Sequence, residues 1–282
     1  MRKISACVLL LGHGTALNEK IQPSARAVSS SEDLPVLLLV GGMGTRLRSV
    51  LSDKPKPLAQ IGDISFLELL VLQLRSQGLR HLVMCTGFQA SQIRQEFKEG
   101  RKWDVAIDYS EETSPLGTAG AIKLAERFLS NTREFVVMNG DSFLQVDFGL
   151  LIRFHRERGG CASIAVRRVP DTARYGTVHV DEQNRVIRFN EKMGIPEPGI
   201  INGGVYLFNR EVLEQIPEGP SSLEKDVLPG LLKDKVFAVE QDGMFIDIGT
   251  PEDYARAQAL YQSLSQAARS YSRIGLQEQT GH

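Results

Sequence analysis

The sequence predicts an α/β protein built on a doubly wound, mostly parallel sheet, and three observations carry that expectation. Short continuous apolar runs, such as residues 36–40 and 135–138, have the texture of strands buried on both faces. These runs alternate with helical periodicities of about ten to fifteen residues, the pattern of strands joined by crossover helices. The chain has 282 residues, and the roughly 230 from Leu34 onward fit one large α/β core with a small insertion.

Composition narrows the function classes. Hydrophobic content of 42% and charged content of 24% are ordinary for a soluble globular protein. A formal net charge of −1 argues against nucleic acid or a membrane surface as a partner. Cys7, Cys85 and Cys161 are widely spaced with no CxxC, so reduced thiols are expected rather than a disulfide framework or a zinc site. No apolar run approaches the roughly eighteen residues of a membrane span. The start, MRKISACVLLLGHG, has a basic pair before a short apolar run but no small-residue cleavage site soon after Leu11, so a cytoplasmic location is expected.

Residues 1–33 stand apart as an N-terminal extension and linker. Residues 7–11 read as a strand and 12–15 as a turn, followed by the polar, small-residue stretch QPSARAVSSSED. His13 has no visible partner and is assigned nothing.

The run at 36–40 then breaks into a glycine-rich loop, Gly41, Gly42 and Gly44, followed by Thr45, Arg46 and, between two prolines, Lys56. Glycines let main-chain N–H groups approach an oxyanion closely. Arg46 offers a planar fork of donors for phosphate oxygens and Lys56 a compact charge. The combination reads as a polyphosphate site at the carboxyl end of a strand. It is not a dinucleotide fingerprint, because Leu47 occupies the third glycine position, nor a Walker loop, because GTR stands where GK[ST] is needed. A plain turn with solvated basic residues accounts for the glycine pair alone but not for Thr45, Arg46 and the PKP triplet in register.

GGMGTRLRS at 41–49 followed by KPKPLAQIG at 54–62 resembles the signature of the sugar nucleotidyltransferases, or NDP-sugar pyrophosphorylases. With the later matches the resemblance covers residues 34 to about 262. It implies a Rossmann-like, GT-A-like fold in which the loop holds a nucleoside triphosphate, with Arg46 and Lys56 neutralising phosphates while a sugar 1-phosphate attacks. Leu39, Gly41, Gly42, Gly44, Thr45 and Gln89 are the implied nucleotide contacts of this first part.

Residues 66–77 carry leucines at 67, 69, 70, 72 and 74 and end before Gly78, a helix with its stop signal. Residues 81–86 form the next strand, a short helix runs to Lys98, and 104–109 is a further strand with Trp103 as a packing residue. SPLGTAGAIKLAERFL, 114–129, opens a helix at Thr118 or Ala119. Its small residues let a flat ring lie on backbone, although a tight strand-to-helix connection has the same composition. LGTAGA resembles the family's nucleobase loop, which implies base contacts from Gly117, Thr118 and Gly120. This form of the loop is similar to that of members using mannose or D-glycero-α-D-manno-heptose 1-phosphate, often with GTP.

Residues 135–138 deliver Asn139-Gly140-Asp141 to the same edge, where a carboxylate suits Mg²⁺, although aspartate is also common in caps and turns. NGDS matches the family's metal-binding aspartate. Asp147 caps a helix ending near Arg158, and 161–167 is strand-like. From Tyr175 the stretch GTVHVDEQNRVIRFNEK alternates around a polar turn as a hairpin does. Residues 171–210 are therefore expected to form a smaller β-rich region over the acceptor, with the nucleotide-binding part at about 34–145. Within it Glu191-Lys192 and Asn202-Gly203 resemble the family's sugar-phosphate motifs: Lys192 meets the acceptor phosphate, Glu191 and Asn202 the sugar hydroxyls.

Ser221 and Glu224 form a capping-box pattern before a helix to about 233. Two short strands follow at 235–240 and 244–248. In DIGTPEDYARAQAL, Thr250 is the N-cap and Pro251 the first helical residue. Asp247 resembles the second metal aspartate. The domain is expected to close at 267, leaving 268–282 as a fraying polar tail.

The resemblance implies condensation of a nucleoside triphosphate, GTP foremost, with a sugar 1-phosphate to give an NDP-sugar and pyrophosphate, with Mg²⁺ as cofactor. UTP, CTP or dTTP with another sugar 1-phosphate is the alternative within the class, and a homo-oligomer stays open. A catalytically silent nucleotide-sugar sensor is the alternative outside it, opposed by the full set Arg46, Lys56, Asp141, Lys192 and Asp247. A nicotinamide-dependent dehydrogenase is opposed by Leu47.

Overall fold

A computed structural model of the protein describes residues 34–47, 50–51, 54–190, 192 and 194–270. The extension at 1–33, Glu191 and the tail beyond 270 lie outside the described residues. In chain order the regular elements are β1 (Val36–Leu39), the small hairpin β2 (Gln60–Ile61) and β3 (Ile64–Ser65), α1 (Phe66–Ser76), β4 (His81–Thr86) and α2 (Ala90–Phe97). There follow β5 (Ala106–Glu111), α3 (Gly117–Leu124), β6 (Glu134–Asn139), β7 (Ser142–Leu144), α4 (Phe148–Arg158), β8 (Ala162–Val169), β9 (Thr177–Val180) and β10 (Val186–Asn190). The chain continues with β11 (Gly199–Asn209), α5 (Leu228–Leu231), β12 (Val236–Glu240), β13 (Phe245–Asp247), α6 (Pro251–Ala259) and α7 (Tyr261–Arg269).

β1 is central because its residues suit nothing else: Val36, Leu37 and Leu38 are fully buried. Alternation along the strand sends Val36, Leu38 and Val40 into the core beneath α1, α4, α6 and α7, and Leu37 into the core beneath α3 and α5. Burying such side chains contributes about 1.5–3 kcal/mol each. β1 pairs in parallel with β4 and β6, with Leu39 opposite both Cys85 and Asn139. Three strands therefore end together and bring Gly41, Gly87 and Gly140 to one edge.

Among the described residues nine strands join this sheet, and it is mixed rather than mostly parallel. The β5-β4-β1-β6 half is parallel, and β12 runs parallel to β8. β11 runs antiparallel to β6, β8 and β9, and β9 to β10. The cause is that β11 returns without a crossover helix. Within residues 171–210, β11 is a long strand of the main sheet, and the β9–β10 hairpin joins it where Ile201 faces Thr177. β11 bulges between Asn202 and Val205. Gly204 takes φ +74° there, and a β-carbon on it would lie 2.9 Å from Asn139 Nδ2.

The N-caps read from sequence at Asp147 and Thr250 hold, and Ser65 caps a third helix that showed only its stop signal in sequence. Ser65, Asp147 and Thr250 accept backbone N–H bonds from Glu68, Leu150 and Asp253. The capping box is displaced: Ser222, not Ser221, accepts from Lys225 N–H, because the Ser221 carbonyl is already taken by the N–H of Ala119. The strand expected from 104 begins at Ala106, since Asp104 takes φ +57° and ends a turn over Arg101–Trp103. Trp103 stacks on Phe97 at 4.5 Å. The C-terminal helix passes the boundary at 267: Leu264, Ala267 and Ala268 lie on one face and are buried, which holds α7 to Arg269. No helix among the described residues is long and apolar enough to cross a membrane.

Candidate active site

Three connected hollows open at the carboxyl edge of β1, β4 and β6, and Asp141 lies on the wall of all three. The first, about 520 Å³, lies between the glycine loop and the start of α3, with Leu39, Gly41, Gly42, Cys85, Phe88 and Thr118 in its lining. Burial, reinforced by the charge of Glu112, pushes the Cys85 thiol up to about 12, so it is an inert part of the wall.

The second, a groove of about 200 Å³, runs past Gly42, Gly44, Thr45, Arg46 and Lys56. Gly44 takes φ +56°, and a β-carbon there would lie 2.9 Å from Lys56 Cβ, so only glycine lets loop and lysine close on each other. Buried Leu47 pins the turn Thr45–Leu47 to the core. Lys56, fixed between Pro55 and Pro57, donates to Asp141 Oδ2 at 2.8 Å.

The third, about 750 Å³, extends under β9, β10 and β11 and includes Arg46, Lys192, Asn202, Arg174, Glu224 and Asp247. Asn202 is held by two bonds, Nδ2 donating to Tyr206 Oη at 2.7 Å and Oδ1 accepting from Gly204 N–H at 3.0 Å. One amide hydrogen and one lone pair remain for a ligand. Tyr206 Oη in turn donates to Glu224 Oε1 at 3.2 Å, and Glu224 Oε2 accepts from Thr118 Oγ1 at 3.2 Å. A continuous hydrogen-bonded chain therefore links the first hollow to the third.

The antiparallel pairing of β7 with β13 sets Asp247 opposite Ser142, and Ile248 N–H bonds the Asp141 carbonyl at 3.1 Å. Two carboxylates far apart in sequence thereby meet. Burial first, then the Asp141 charge, pushes the Asp247 carboxyl above the usual carboxylate range, against the pull of Lys56, the Gly249 N–H and Lys192. Two crowded carboxylates beside a groove lined by Arg46 and Lys56 fit a hard divalent cation, which takes one or two protein carboxylates and completes its shell from other oxygens and water. Among the described residues no group of three or more His, Cys, Asp or Glu side chains is placed to hold an ion by itself.

Most of the residues singled out from sequence come together here. Gln89, Gly120 and Gly203 do not line the hollows. Gln89 takes φ +53° at the start of α2. Gly120 makes room for the Gly219 carbonyl, 2.5 Å from where its β-carbon would be, and Gly203 makes room for Leu144 at 2.3 Å. Both act by packing. Sequence reasoning passed over Glu112, Arg174 and Glu224. Arg174 is clasped by Asp253, buried on α6, and its Nη2 donates to Thr250 Oγ1 at 3.2 Å. The Asp253 carboxylate, through its hydrogen bond, pushes the guanidinium further up.

The family profile described as nucleotidyl transferase matches residues 35–263. A D-glycero-alpha-D-manno-heptose 1-phosphate guanylyltransferase of Campylobacter jejuni subsp. jejuni is 38% identical over 222 residues, 78% of this chain and 97% of that protein. A mannose-1-phosphate guanylyltransferase catalytic subunit beta of Drosophila pseudoobscura pseudoobscura is 37% identical over 230 residues, 80% of this chain; the match spans only 62% of the fly protein. In structure, HddC from Yersinia pseudotuberculosis complexed with GMP-PN superposes with a TM-score of 0.73 at 33% identity, covering 81% of this chain and 99% of that one.

Proposed function

Because the chain belongs to the nucleotidyl transferase family, we propose that it joins GTP to a manno-configured sugar 1-phosphate, mannose or manno-heptose, releasing pyrophosphate and a GDP-sugar. The observation that carries the reading is the position of Asp141, which borders the first hollow, the cationic groove and the third hollow at once. A base in the first, a triphosphate along the second and an acceptor in the third would bring their reacting phosphates together at that residue. The two guanylyltransferase relatives and the GMP-PN complex of HddC support the choice of base and sugar.

An acceptor phosphate oxygen attacks the α-phosphorus in line; the new P–O bond forms as the bond to the bridging oxygen breaks, and pyrophosphate leaves. The attacking oxygen is already anionic, so no side chain has to remove a proton. This chain's residues position and neutralise. Arg46, on the wall of both groove and acceptor hollow, steadies phosphate on either side, and Lys56 is held for the same work by Asp141. Lys192 faces the acceptor phosphate, and Asn202 offers its remaining hydrogen and lone pair to sugar hydroxyls. Asp141 and Asp247 would hold Mg²⁺, which when bound supplies positive charge against the charge that develops around the α-phosphorus. We place this chemistry in the cytoplasm, where nucleoside triphosphates are available.

The test is pyrophosphate release across the four ribonucleoside triphosphates and dTTP against a panel of hexose and heptose 1-phosphates. GTP with a manno-configured acceptor is expected to give the highest kcat/KM. Faster turnover of another triphosphate on the best acceptor would contradict the donor assignment.

A further inference from the structure

An acidic residue in the first turn of a helix needs only solvent and the helix dipole. Asp253 in α6 is instead buried, at 2% exposure. Its backbone N–H already reaches the N-cap Thr250 at 3.3 Å, so capping accounts for Thr250 and not for the buried carboxylate. That carboxylate reaches away from α6 and takes the fork of Arg174, with Nη1 donating to Oδ1 at 3.0 Å and Nη2 to Oδ2. Thr250 Oγ1 closes the ring, donating to Asp253 Oδ2 at 2.9 Å and accepting from Arg174 Nη2 at 3.2 Å. Arg256 stands 3.6 Å from Oδ1 as a second cation.

Arg174 belongs to the loop that leads into β9, and the residues after it, Tyr175, Gly176 and Thr177, wall the third hollow. The Gly176 carbonyl accepts the Asn202 N–H at 3.2 Å, so this loop also holds the strand that carries Asn202. It is fastened to the segment bearing Asp247 on both sides of that residue. Ahead of Asp247, Tyr175 meets Phe245 of β13 edge-on, with ring centroids 5.3 Å apart. Beyond it, Arg174 meets Thr250 and Asp253. Between the two fastenings the Gly249 N–H holds the Asp247 carboxylate, and Ile248 N–H bonds the Asp141 carbonyl at 3.1 Å. A forked ion pair fixes direction as well as distance, which apolar packing does not.

Resting on the transferase reading above for its kinetic consequence, we propose that Asp253, acting through Arg174, is a positioning residue that locks the acceptor wall to the turn carrying Asp247. The acceptor phosphate and the paired carboxylates Asp141 and Asp247 then keep one fixed spacing. An error of about 1 Å in such a spacing costs roughly a hundredfold in rate although no reacting group is touched. The lock has two consequences that separate it from a packing role. Cutting it loosens both fastened segments together, and it weakens acceptor use without weakening nucleotide use.

The experiment measures steady-state kinetics and amide hydrogen exchange of the full-length wild type, D253N, R174K and D253N/R174K. Asparagine keeps the shape of the carboxylate without its charge. Lysine keeps the charge without the fork and leaves Asp253 neutralised, so that the fold survives. Each single variant is expected to raise the acceptor KM and lower kcat by roughly tenfold or more, with the GTP KM little changed. The double variant should cost no more than the worse single one, because each residue acts only through the other. In D253N the segments 172–177 and 245–249 should both lose exchange protection, by roughly tenfold, while β4 keeps its own. His155→Ala cuts buried bonds to Ser163 and Asn209 and lines none of the three hollows, so it should lose stability without moving the acceptor KM. A costly R174K beside a mild D253N would make Arg174 a direct acceptor contact and overturn the positioning role of Asp253. Additive losses in the double variant, or faster exchange confined to α6, would overturn it too. The exchange arm needs no turnover: a protein that joins no nucleoside triphosphate to any sugar 1-phosphate refutes the transferase reading, and exchange still decides the lock.

Discussion

The two sides of this crevice, which the proposed function assigns to nucleotide and to acceptor, are built by different means. On the nucleotide side the parallel strands β1, β4 and β6 end in step, and glycine-bearing loops form much of the wall at Gly41, Gly42 and Gly87. On the acceptor side the strands are antiparallel and the wall is a network of side chains, Asn202 to Tyr206 to Glu224 and Arg174 to Asp253. A wall of backbone is rigid and tolerates small changes at open positions. A wall of linked side chains changes shape when one link is cut. Asp141 belongs to both.

That difference orders the expected effects of substitution. Asp141→Asn keeps size but removes a charge needed by both sides, so kcat should fall by roughly a hundredfold or more. Asp247→Asn should do the same, and the double variant should cost less than the sum, since both would hold one ion. Kinetics across Mg²⁺ concentrations decide this; near-normal kcat of Asp141→Asn at saturating metal would refute it. Lys192→Ala acts on one side only, and its main effect should be a rise of roughly ten- to a hundredfold in the acceptor KM with the GTP KM little changed.

Tyr206→Phe cuts the acceptor network inside a fully buried site, leaving Asn202 Nδ2 and Glu224 Oε1 without their shared partner. It should lower stability by about 1–3 kcal/mol and raise the acceptor KM more than the GTP KM; equal rises in both would erase the distinction between the sides. Gly42→Ala is the opposite case. A β-carbon there meets nothing within 4 Å and the backbone is not left-handed, so stability should stay within about 0.5 kcal/mol of wild type. A large loss in thermal denaturation would show that the glycine loop is more tightly filled than its open wall indicates.

The same difference explains what could be read from the sequence. The nucleotide side is local: one apolar run, its glycines, Thr45, Arg46 and Lys56 lie within a short stretch, and the chemistry follows from residue type. The acceptor side is assembled from afar. Glu224 reads as half of a capping box, and only the fold brings it to Tyr206 and Thr118. Arg174 and Asp253 are separated by 79 positions, and no spacing rule joins them. β11 was hidden by its own glycines, because Gly203 and Gly204 interrupt an apolar run that the bulge between Asn202 and Val205 allows to continue as one strand. Glu112 carried no signal beside Glu111; only the fold brings it into the wall of the first hollow.

In the proposed reaction the two sides deliver their substrates to one another at Asp141. The most direct measurement is ³¹P NMR of the purified full-length protein with GTP, Mg²⁺ and either mannose 1-phosphate or D-glycero-α-D-manno-heptose 1-phosphate. GTP and sugar 1-phosphate signals should fall together while pyrophosphate and a sugar-linked diphosphate rise in equal amounts. GTP that stays unchanged with both acceptors, or that breaks down to GDP and inorganic phosphate with no sugar-linked diphosphate formed, would contradict it.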